Sequence, residues 1–229
     1  GDDLALSQSL VHSGKVVLPV TRRSDDPNAA VDAPLPLIRR GAAQLGHVHV
    51  EVDSDGVVRR LYTFEGPKNG LLPHFSLAME CVAGSREYAA CKGPQVPLSA
   101  DTWEQDRLRV IPFAKPSKTG PTFTTYSYID VLMNRVPPDA FRGKFVLVGA
   151  TATGLGDMFA APVGRTADRI PGVELVAHVL NARLEGFRIM PAPLAWNLVF
   201  NLLPVAAALV AVLLLGPFAA LVASSLMFL

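Results

Sequence analysis

Hydrophobic and polar positions are distributed differently in the two parts of this chain. Up to Arg188, short apolar stretches alternate with polar and glycine-rich loops, and beyond Arg188 there is no Asp, Glu, Lys, Arg or His. Short apolar segments separated by loops indicate strands and helices packed around a core. We therefore predict a folded α/β domain over residues 1–190 and a membrane segment over residues 191–229.

The charge-free segment predicts a helix that crosses a membrane. Residues 194–215 are apolar over a length that spans a hydrocarbon core of about 30 Å at about 1.5 Å per residue. Trp196 suits a membrane interface. Gly216-Pro217 is expected to end this helix, and residues 218–229 then start a second, truncated span. A buried core helix is the alternative, but such helices usually carry a polar stripe.

The first half of the domain predicts a helix, two strands and a hairpin. Apolar positions between Leu4 and Val11 suit a helix that Gly14 ends, and the apolar stretch 16–20 suits a strand. In residues 47–52 valines alternate with polar residues, which predicts a strand with one polar, solvent-facing side, and DSDG then predicts the turn. The polar start GDDLALSQSL shows no signal peptide, so we expect the chain to be part of a longer protein.

The second half adds helices and strands in alternation. A helix ends at Gly84, a strand is predicted in residues 107–113, and a helix in residues 125–135. The apolar run 145–148 predicts a strand buried on both faces, and residues 171–186 predict a helix between Pro171 and a closing glycine. The expected fold is α/β, with a mixed sheet flanked by helices and followed by a transmembrane helical hairpin.

The glycine-rich loop after the run 145–148 does not fit a nucleotide site. Gly149, Gly154 and Gly156 lack the G-x-G-x-x-G spacing of dinucleotide-binding loops. A phosphate-binding loop also needs a Lys and a hydroxyl after its last glycine, where this chain has Asp157 and Met158. We therefore expect no nucleotide here, because the carboxylate would repel phosphate.

The predicted hairpin has two partial matches to metal sites. Residues 53–56 resemble the start of a calcium loop, but position twelve, which needs a bidentate Glu, is Tyr62. His47, His49 and Glu51 would share one strand face and could hold a metal, yet a solvated polar face gives the same pattern. We predict a hairpin, with neither metal nor cofactor.

Charge and motifs argue against two further classes of function. The 21 Lys and Arg nearly balance the 20 Asp and Glu, and the arginine pairs are scattered, so no nucleic-acid partner is expected. No G-x-S-x-G nucleophile motif occurs. An enzyme that uses Thr151, Asp157 and His178 remains the competing hypothesis, and the domain itself is predicted to be non-catalytic.

The order of these signals resembles a known family. PPDAFRGKFVLVGATATGLGDMFAAPVG, followed by IPGVELVAHVLNARLEG and apolar helices, is similar to the second class of CHASE domains, the cyclase/histidine-kinase associated sensory extracellular modules of bacteria. LALSQSLVHSGKVVLPV, the hairpin segment 34–64 and FSLAME agree in order with that family. The resemblance covers about residues 2–190, so it does not depend on one loose motif.

The resemblance implies a receptor. It implies that residues 1–190 lie in the periplasm, held at the inner membrane, and that they sense an undefined small-molecule or protein signal. The signal would be passed to a cytoplasmic effector of the same chain, which is a nucleotide cyclase, a histidine kinase or a serine/threonine kinase in that family. We also expect a homodimer. A membrane-anchored enzyme and a structural dimerisation module are the alternatives.

Four residues are candidates for contact with the signal: Arg60, Thr151, Thr153 and Asp157. The last three lie in the glycine loop that carries the family motif, although such a motif can also serve only to shape a turn. Outside the cytoplasm, Cys81 and Cys91, the only two cysteines, could form a disulfide.

Arg60 is a candidate because of the hairpin register. If residues 54–56 form a three-residue loop, Glu51 faces Arg59 and Val50 faces Arg60. Arg60 then falls on the apolar inner face and must reach an edge, a carboxylate or an anionic ligand. This register predicts that Arg60→Ala destabilises the domain more than Arg59→Ala does.

Overall fold

A computed structural model describes most of the chain. The described residues are 1–22, 32–67, 70–84, 103–115, 121–152, 157–163, 169–187, 189 and 193–227. They divide into two compact units, Gly1–Ile189 and Met190–Leu229, which we call unit 1 and unit 2.

Unit 1 begins with a helix and a parallel strand pair. Helix α1 (Asp2–Ser13) ends at Gly14, whose φ of 60° suits a residue without Cβ. Strand β1 (Val17–Val20) follows, then the short helix α2 (Pro36–Arg39) and strand β2 (Gln44–His47). β1 and β2 are parallel, and all four residues of β2 are buried. The predicted order of helix and strand is confirmed here.

An antiparallel sheet forms the second part of unit 1. Its longest strand, β4 (Val58–Pro67), pairs with β3 (Glu51–Val52), β5 (Leu72–Pro73) and β6 (Trp103–Val110). β6 follows β4 along most of its length, and its side chains are mainly exposed. The predicted strand 107–113 is thus found, but it begins earlier and ends earlier than predicted.

The hairpin register differs from the prediction. Asp53 donates its backbone N–H to the carbonyl of Val57 at 3.0 Å, as a short loop requires. The next pairs, however, are Val52 with Val58 and Glu51 with Arg60, so that Arg59 is an extra residue in a bulge. The prediction that Arg60 lies on an apolar inner face is therefore wrong, because the bulge shifts every later residue by one position.

The remaining helices and strands lie after the sheet or between its strands. Helix α3 (Phe75–Val82) precedes β6, and α4 (Tyr128–Leu132) follows it. Strands β7 (Met158–Ala160) and β8 (Arg169–Pro171) form an antiparallel pair that leads into helix α5 (Gly172–Leu184). A short 3₁₀ helix also occurs after α4. The predicted helix between Pro171 and Gly186 is confirmed.

The predicted buried strand 145–148 is not formed. Phe145, Val146 and Val148 are 38%, 48% and 79% exposed, and this part of the described chain pairs with no strand. The spacing of apolar residues cannot distinguish a short buried strand from an extended segment without strand partners. The prediction of a strand at residues 145–148 was wrong for this reason. Gly149 then passes close to α5, since a Cβ there would lie 2.5 Å from the Cβ of Val173.

The core of unit 1 has two apolar clusters. The larger cluster joins the antiparallel sheet to α5 and contains Val50, Val58, Leu61, Ile111, Ala161, Ile170, Leu175 and Val179. The smaller cluster packs around the parallel pair and contains Val20, Ala42, Leu45 and Leu72. Each cluster removes apolar side chains from water, at about 25 cal/mol per Å² buried.

Unit 2 contains helix α6 (Leu194–Met227), whose 34 residues form one uninterrupted helix. The break predicted at Gly216-Pro217 is wrong, because a proline removes one backbone hydrogen bond and a helix can continue past it. The predicted hairpin of two helices is accordingly not seen. No helix in the described part of the chain combines the length and hydropathy needed to cross a membrane.

Candidate functional site

A polar cluster is formed by His47, His49, Glu65 and His74, which are buried except for His49, whose side chain is 40% exposed. His47 ends β2 and His74 precedes α3, and an isolated parallel bridge joins their backbones. Glu65 lies in β4, with its carboxylate 3.8 Å from Nδ1 of His47. The polar cluster therefore connects the parallel pair to the antiparallel sheet.

Glu65 is the centre of the polar cluster. Its side chain is 0% exposed, and it accepts hydrogen bonds from Trp103 Nε1 at 2.6 Å and Gln105 Nε2 at 3.4 Å. Its other oxygen lies 2.8 Å from His49 Nδ1. Burial raises the pKa of Glu65, but the hydrogen bonds and positive charge of His49, together with Trp103, outweigh burial and hold the pKa below its ordinary value. The hydrogen bond to Glu65 also raises the pKa of His49, against the opposing effect of burial.

His47 and His74 are buried and neutral at pH 7. Their rings meet edge to face, with centroids 5.2 Å apart. Burial lowers the pKa of His47 to about 4 and the pKa of His74 well below its ordinary value. Nδ1 of His74 lies 2.8 Å from Oγ of Ser76 and 3.3 Å from its backbone N, while Nε2 of His74 has no hydrogen-bond partner among the described residues.

The described residues do not assemble the metal site considered for His47, His49 and Glu51. No three or more His, Cys, Asp or Glu are grouped to hold an ion in that part of the chain. His47 is buried rather than solvent-facing, because β2 ends at this residue and α3 packs against it. The alternating pattern of residues 47–52 thus crosses two strands instead of marking one.

These histidines predict a stability maximum near pH 6.5. His47 and His178 have folded pKa values of about 4, below the 6.5 of the unfolded chain, so the unfolded state takes up protons that the folded state does not. Stability is then lost as pH falls from 6.5 towards 4, by about 1.4 kcal/mol for each unit of pKa lowering. His49 acts in the opposite sense: its raised pKa stabilises fully below pH 6.5 and is lost as pH rises through the folded value.

Urea unfolding of the purified chain at several pH values checks this maximum. His178→Gln, which keeps an acceptor at this position, is expected to flatten the acid side, and His49→Gln the alkaline side. His12→Gln, at an exposed residue of α1, is the matched control and should leave both sides unchanged. Parallel curves for wild type and His178→Gln would contradict the prediction.

A cavity of about 120 Å³ opens beside the polar cluster, within unit 1. Residues of β4, β6, α3 and α5 line it. Its lining includes the polar residues His74, Thr63 and Ser76 and the apolar residue Val179. The cavity therefore has both polar groups and apolar surface, as ligand sites usually do.

Three arginines line this cavity: Arg107, Arg109 and Arg183. Nη2 of Arg183 donates to Oε2 of Glu80 at 3.0 Å, and its Nε donates to Oε1, which ties α5 to α3. Arg107 lies 3.3 Å from Asp106, is half exposed, and has a φ of 59°, unusual for a residue with a side chain. Arg109 is exposed and makes no side-chain hydrogen bond or ion pair to the residues that the structure describes.

Three of the predicted signal-contact residues, Arg60, Thr151 and Asp157, are not among the residues that line this cavity. Arg60 is 43% exposed and donates from Nε to Oδ1 of Asp53 at 3.0 Å, and Arg59, 40% exposed, bonds the same carboxylate. Both pairings lower the pKa of Asp53. The basis for a larger effect of Arg60→Ala than of Arg59→Ala is therefore lost, since Arg59 makes more hydrogen bonds.

The glycine loop is described only in part. Thr151 is exposed and Thr153 lies outside the described residues. The carbonyl of Asp157 accepts the N–H of Gly172 at 2.9 Å, and its carboxylate fills the space that a Cβ on Gly172 would need. Gly172 thus lets the loop lie against the first turn of α5. Roles in signal contact for Thr151, Thr153 and Asp157 stay predictions.

His178 is held in the core of unit 1 by a backbone hydrogen bond and two aromatic rings. It is fully buried in α5, its Nδ1 accepts the N–H of Ala114 at 3.1 Å, and Phe113 and Phe123 lie against its ring. None of its described hydrogen bonds is to Thr151 or Asp157. The catalytic group proposed as the competing hypothesis is therefore not assembled in the described part of the chain.

The residues around which this site is built were not predicted from the sequence. Glu65 stands in the apolar stretch LYTFEG, where a carboxylate in a central strand is itself a signal because such a charge must be paired when buried. Arg107 and Arg109 are two residues apart in a predicted strand, a spacing that places side chains on one face. His74 and Trp103 gave no signal, because only the fold brings them to Glu65.

Comparison with protein families matches residues 1–217 to the CHASE2 domain. The match covers most of the chain, so the protein belongs to the CHASE2 family, whose members are extracellular sensory domains of signalling receptors. Searches of the curated proteins and of the solved structures found no match.

Proposed function

We propose that this chain is the sensory input module of a bacterial membrane receptor, with unit 1 in the periplasm and unit 2 at the inner membrane. Membership of the CHASE2 family is the observation that carries this proposal. The module passes an unidentified signal to a cytoplasmic effector of the same receptor, a nucleotide cyclase, a histidine kinase or a serine/threonine kinase, and works as a homodimer.

The sequence of unit 2 supports attachment to a membrane. Residues 189–229 contain no Asp, Glu, Lys, Arg or His, and the helix of 34 residues would be about 51 Å long at about 1.5 Å per residue. An apolar helix without a charge is costly to leave in water. In the proposed receptor, α6 follows directly on the sensory unit and carries its signal to the membrane.

The orientation is tested by reporter fusions in the natural gene. Alkaline phosphatase, which is active only outside the cytoplasm, is joined after Gly186 in one fusion and after Met227 in the other. We expect activity at Gly186 and silence at Met227, because one span lies between the two positions. Silence at Gly186 with activity at Met227 would overturn the proposal, provided that immunoblots show equal amounts of both fusions.

A disulfide between Cys81 and Cys91 is a further prediction that depends on this location. Cys81 lies in α3, whereas Cys91 lies outside the described residues. A bridge over so short a loop stabilises a domain by about 2–4 kcal/mol. Mass spectrometry of non-reduced protein from the periplasm should show the linked peptides, and two free thiols would exclude the bridge.

A further inference from the structure

The side of the cavity next to the polar cluster is closed by His74. Nδ1 of His74 lies 2.8 Å from Oγ of Ser76 and 3.3 Å from its backbone N. The ring is 2% exposed, and its Nε2 is sealed from solvent. His74 therefore forms wall, and polar contact with a ligand falls to the arginines that line the cavity.

The charge of the cavity indicates the kind of ligand that suits it. Three arginines are among its lining residues, against one carboxylate residue, Glu80, which Arg183 already engages through both of its oxygens. Arg107 and Arg109 are exposed in β6, and Asp106 is the one carboxylate paired with either of them among the described residues. The cavity therefore carries a net positive charge that favours an oxyanion.

The size of the cavity and its apolar wall narrow the choice of oxyanion. A volume of about 120 Å³ leaves room for a small organic ion but not for a large ligand. Leu61, Ile111, Val179 and Phe187 form apolar surface in the same cavity. Inorganic phosphate has no apolar part to fill this wall, whereas a short aliphatic acid has both a charged group and an apolar chain.

We propose that this cavity binds a short-chain aliphatic carboxylate, with Arg107 and Arg109 holding its carboxylate group. The backbone of Arg107 is held at φ 59° while Thr63 Oγ1 donates to its carbonyl at 3.0 Å, and its guanidinium lies over the ring of Phe64, 5.2 Å from the centroid. The role of this cavity as the signal-binding site of the receptor rests on the proposed function. The binding of a carboxylate rests only on the geometry of unit 1.

Calorimetric titration of the purified chain with butyrate tests the proposal, in chloride buffer at constant ionic strength. We expect saturable one-to-one binding that Arg109→Ala weakens about tenfold to a hundredfold, since it removes a charge-assisted hydrogen bond. Arg40→Ala, which removes an equal charge from an exposed position near α2, is the matched control and should bind like wild type. Circular dichroism confirms that both variants are folded.

The other outcomes overturn the proposal. Absence of saturable butyrate binding by the folded wild type excludes the site. Equal weakening of butyrate binding by Arg40→Ala and Arg109→Ala would show only a general attraction of the anion to a basic surface. Binding of inorganic phosphate without binding of butyrate excludes the carboxylate assignment. These results are separate from those of the reporter fusions, because binding in solution does not depend on the side of the membrane on which unit 1 lies.

Discussion

Replacing Glu65 by leucine is expected to lower the free energy of unfolding by about 3–5 kcal/mol. The carboxylate is 0% exposed and holds three side chains, Trp103, Gln105 and His49. Leucine fills a similar space but accepts no hydrogen bond, so the indole N–H of Trp103 loses its acceptor. A donor left unpaired in the interior costs about 1–3 kcal/mol, and His49 also loses its charge partner.

Glu65→Gln is the matched control for this effect. Its amide keeps the volume and can still accept from Trp103, but it removes the negative charge next to His49. We expect an intermediate loss of stability, with a smaller dependence on pH above 6.5, because the pKa of His49 would no longer be raised by Glu65. Urea unfolding at pH 6.5 measures both variants, and a leucine variant as stable as wild type would show that Glu65 does not hold the two sheets together.

Replacing Gly46 by alanine is expected to cost up to about 3 kcal/mol, the upper part of the range for overpacked sites. A Cβ at this position in β2 would lie 2.6 Å from Cα of Phe75 and 3.0 Å from Cβ of Ala78. Because one of these atoms belongs to the backbone of α3, no side-chain rotation relieves the contact. Strand and helix must move apart, and His47, the next residue, would be displaced with them.

Gly56→Ala separates this steric effect from backbone strain. Gly56 has a φ of 80° in the hairpin turn, and no atom of the described residues lies within 4 Å of the position of its Cβ. Alanine there costs only about 1–2 kcal/mol for the left-handed conformation. Thermal unfolding of both variants should therefore show the larger loss for Gly46→Ala; the reverse order would mean that β2 and α3 are less closely packed than the structure has them.

The parts of the fold that local sequence determines were predictable. Helix α1 and its end at Gly14, and helix α5 between its proline and Gly186, follow from period and capping residues, which act over a few neighbours. The pairing of strands was harder to predict from the sequence. A single bulge at Arg59 moved Arg60 away from the predicted apolar face, and nothing in the spacing of the turn residues announces a bulge.

The site depends on contacts between residues distant in sequence, which no local pattern contains. Trp103 reaches Glu65 across 38 positions, and Arg183 reaches Glu80 across 103. His47 was predicted to face solvent because its own strand looked amphipathic, and it is buried because a helix formed later in the chain covers it. The sequence therefore predicted the class of the domain and its family resemblance, while the polar cluster and the cavity required the fold.

The most direct test of the sensory proposal is proteolysis of the natural receptor in intact spheroplasts. Lys144 lies in an exposed stretch that pairs with no strand in the described part of the chain, which makes it accessible to trypsin. If unit 1 lies outside the inner membrane, added trypsin should cut after Lys144 without lysis, while a cytoplasmic marker protein stays intact. Cleavage at Lys144 that appears only after the spheroplasts are lysed would contradict an extracytoplasmic sensory unit.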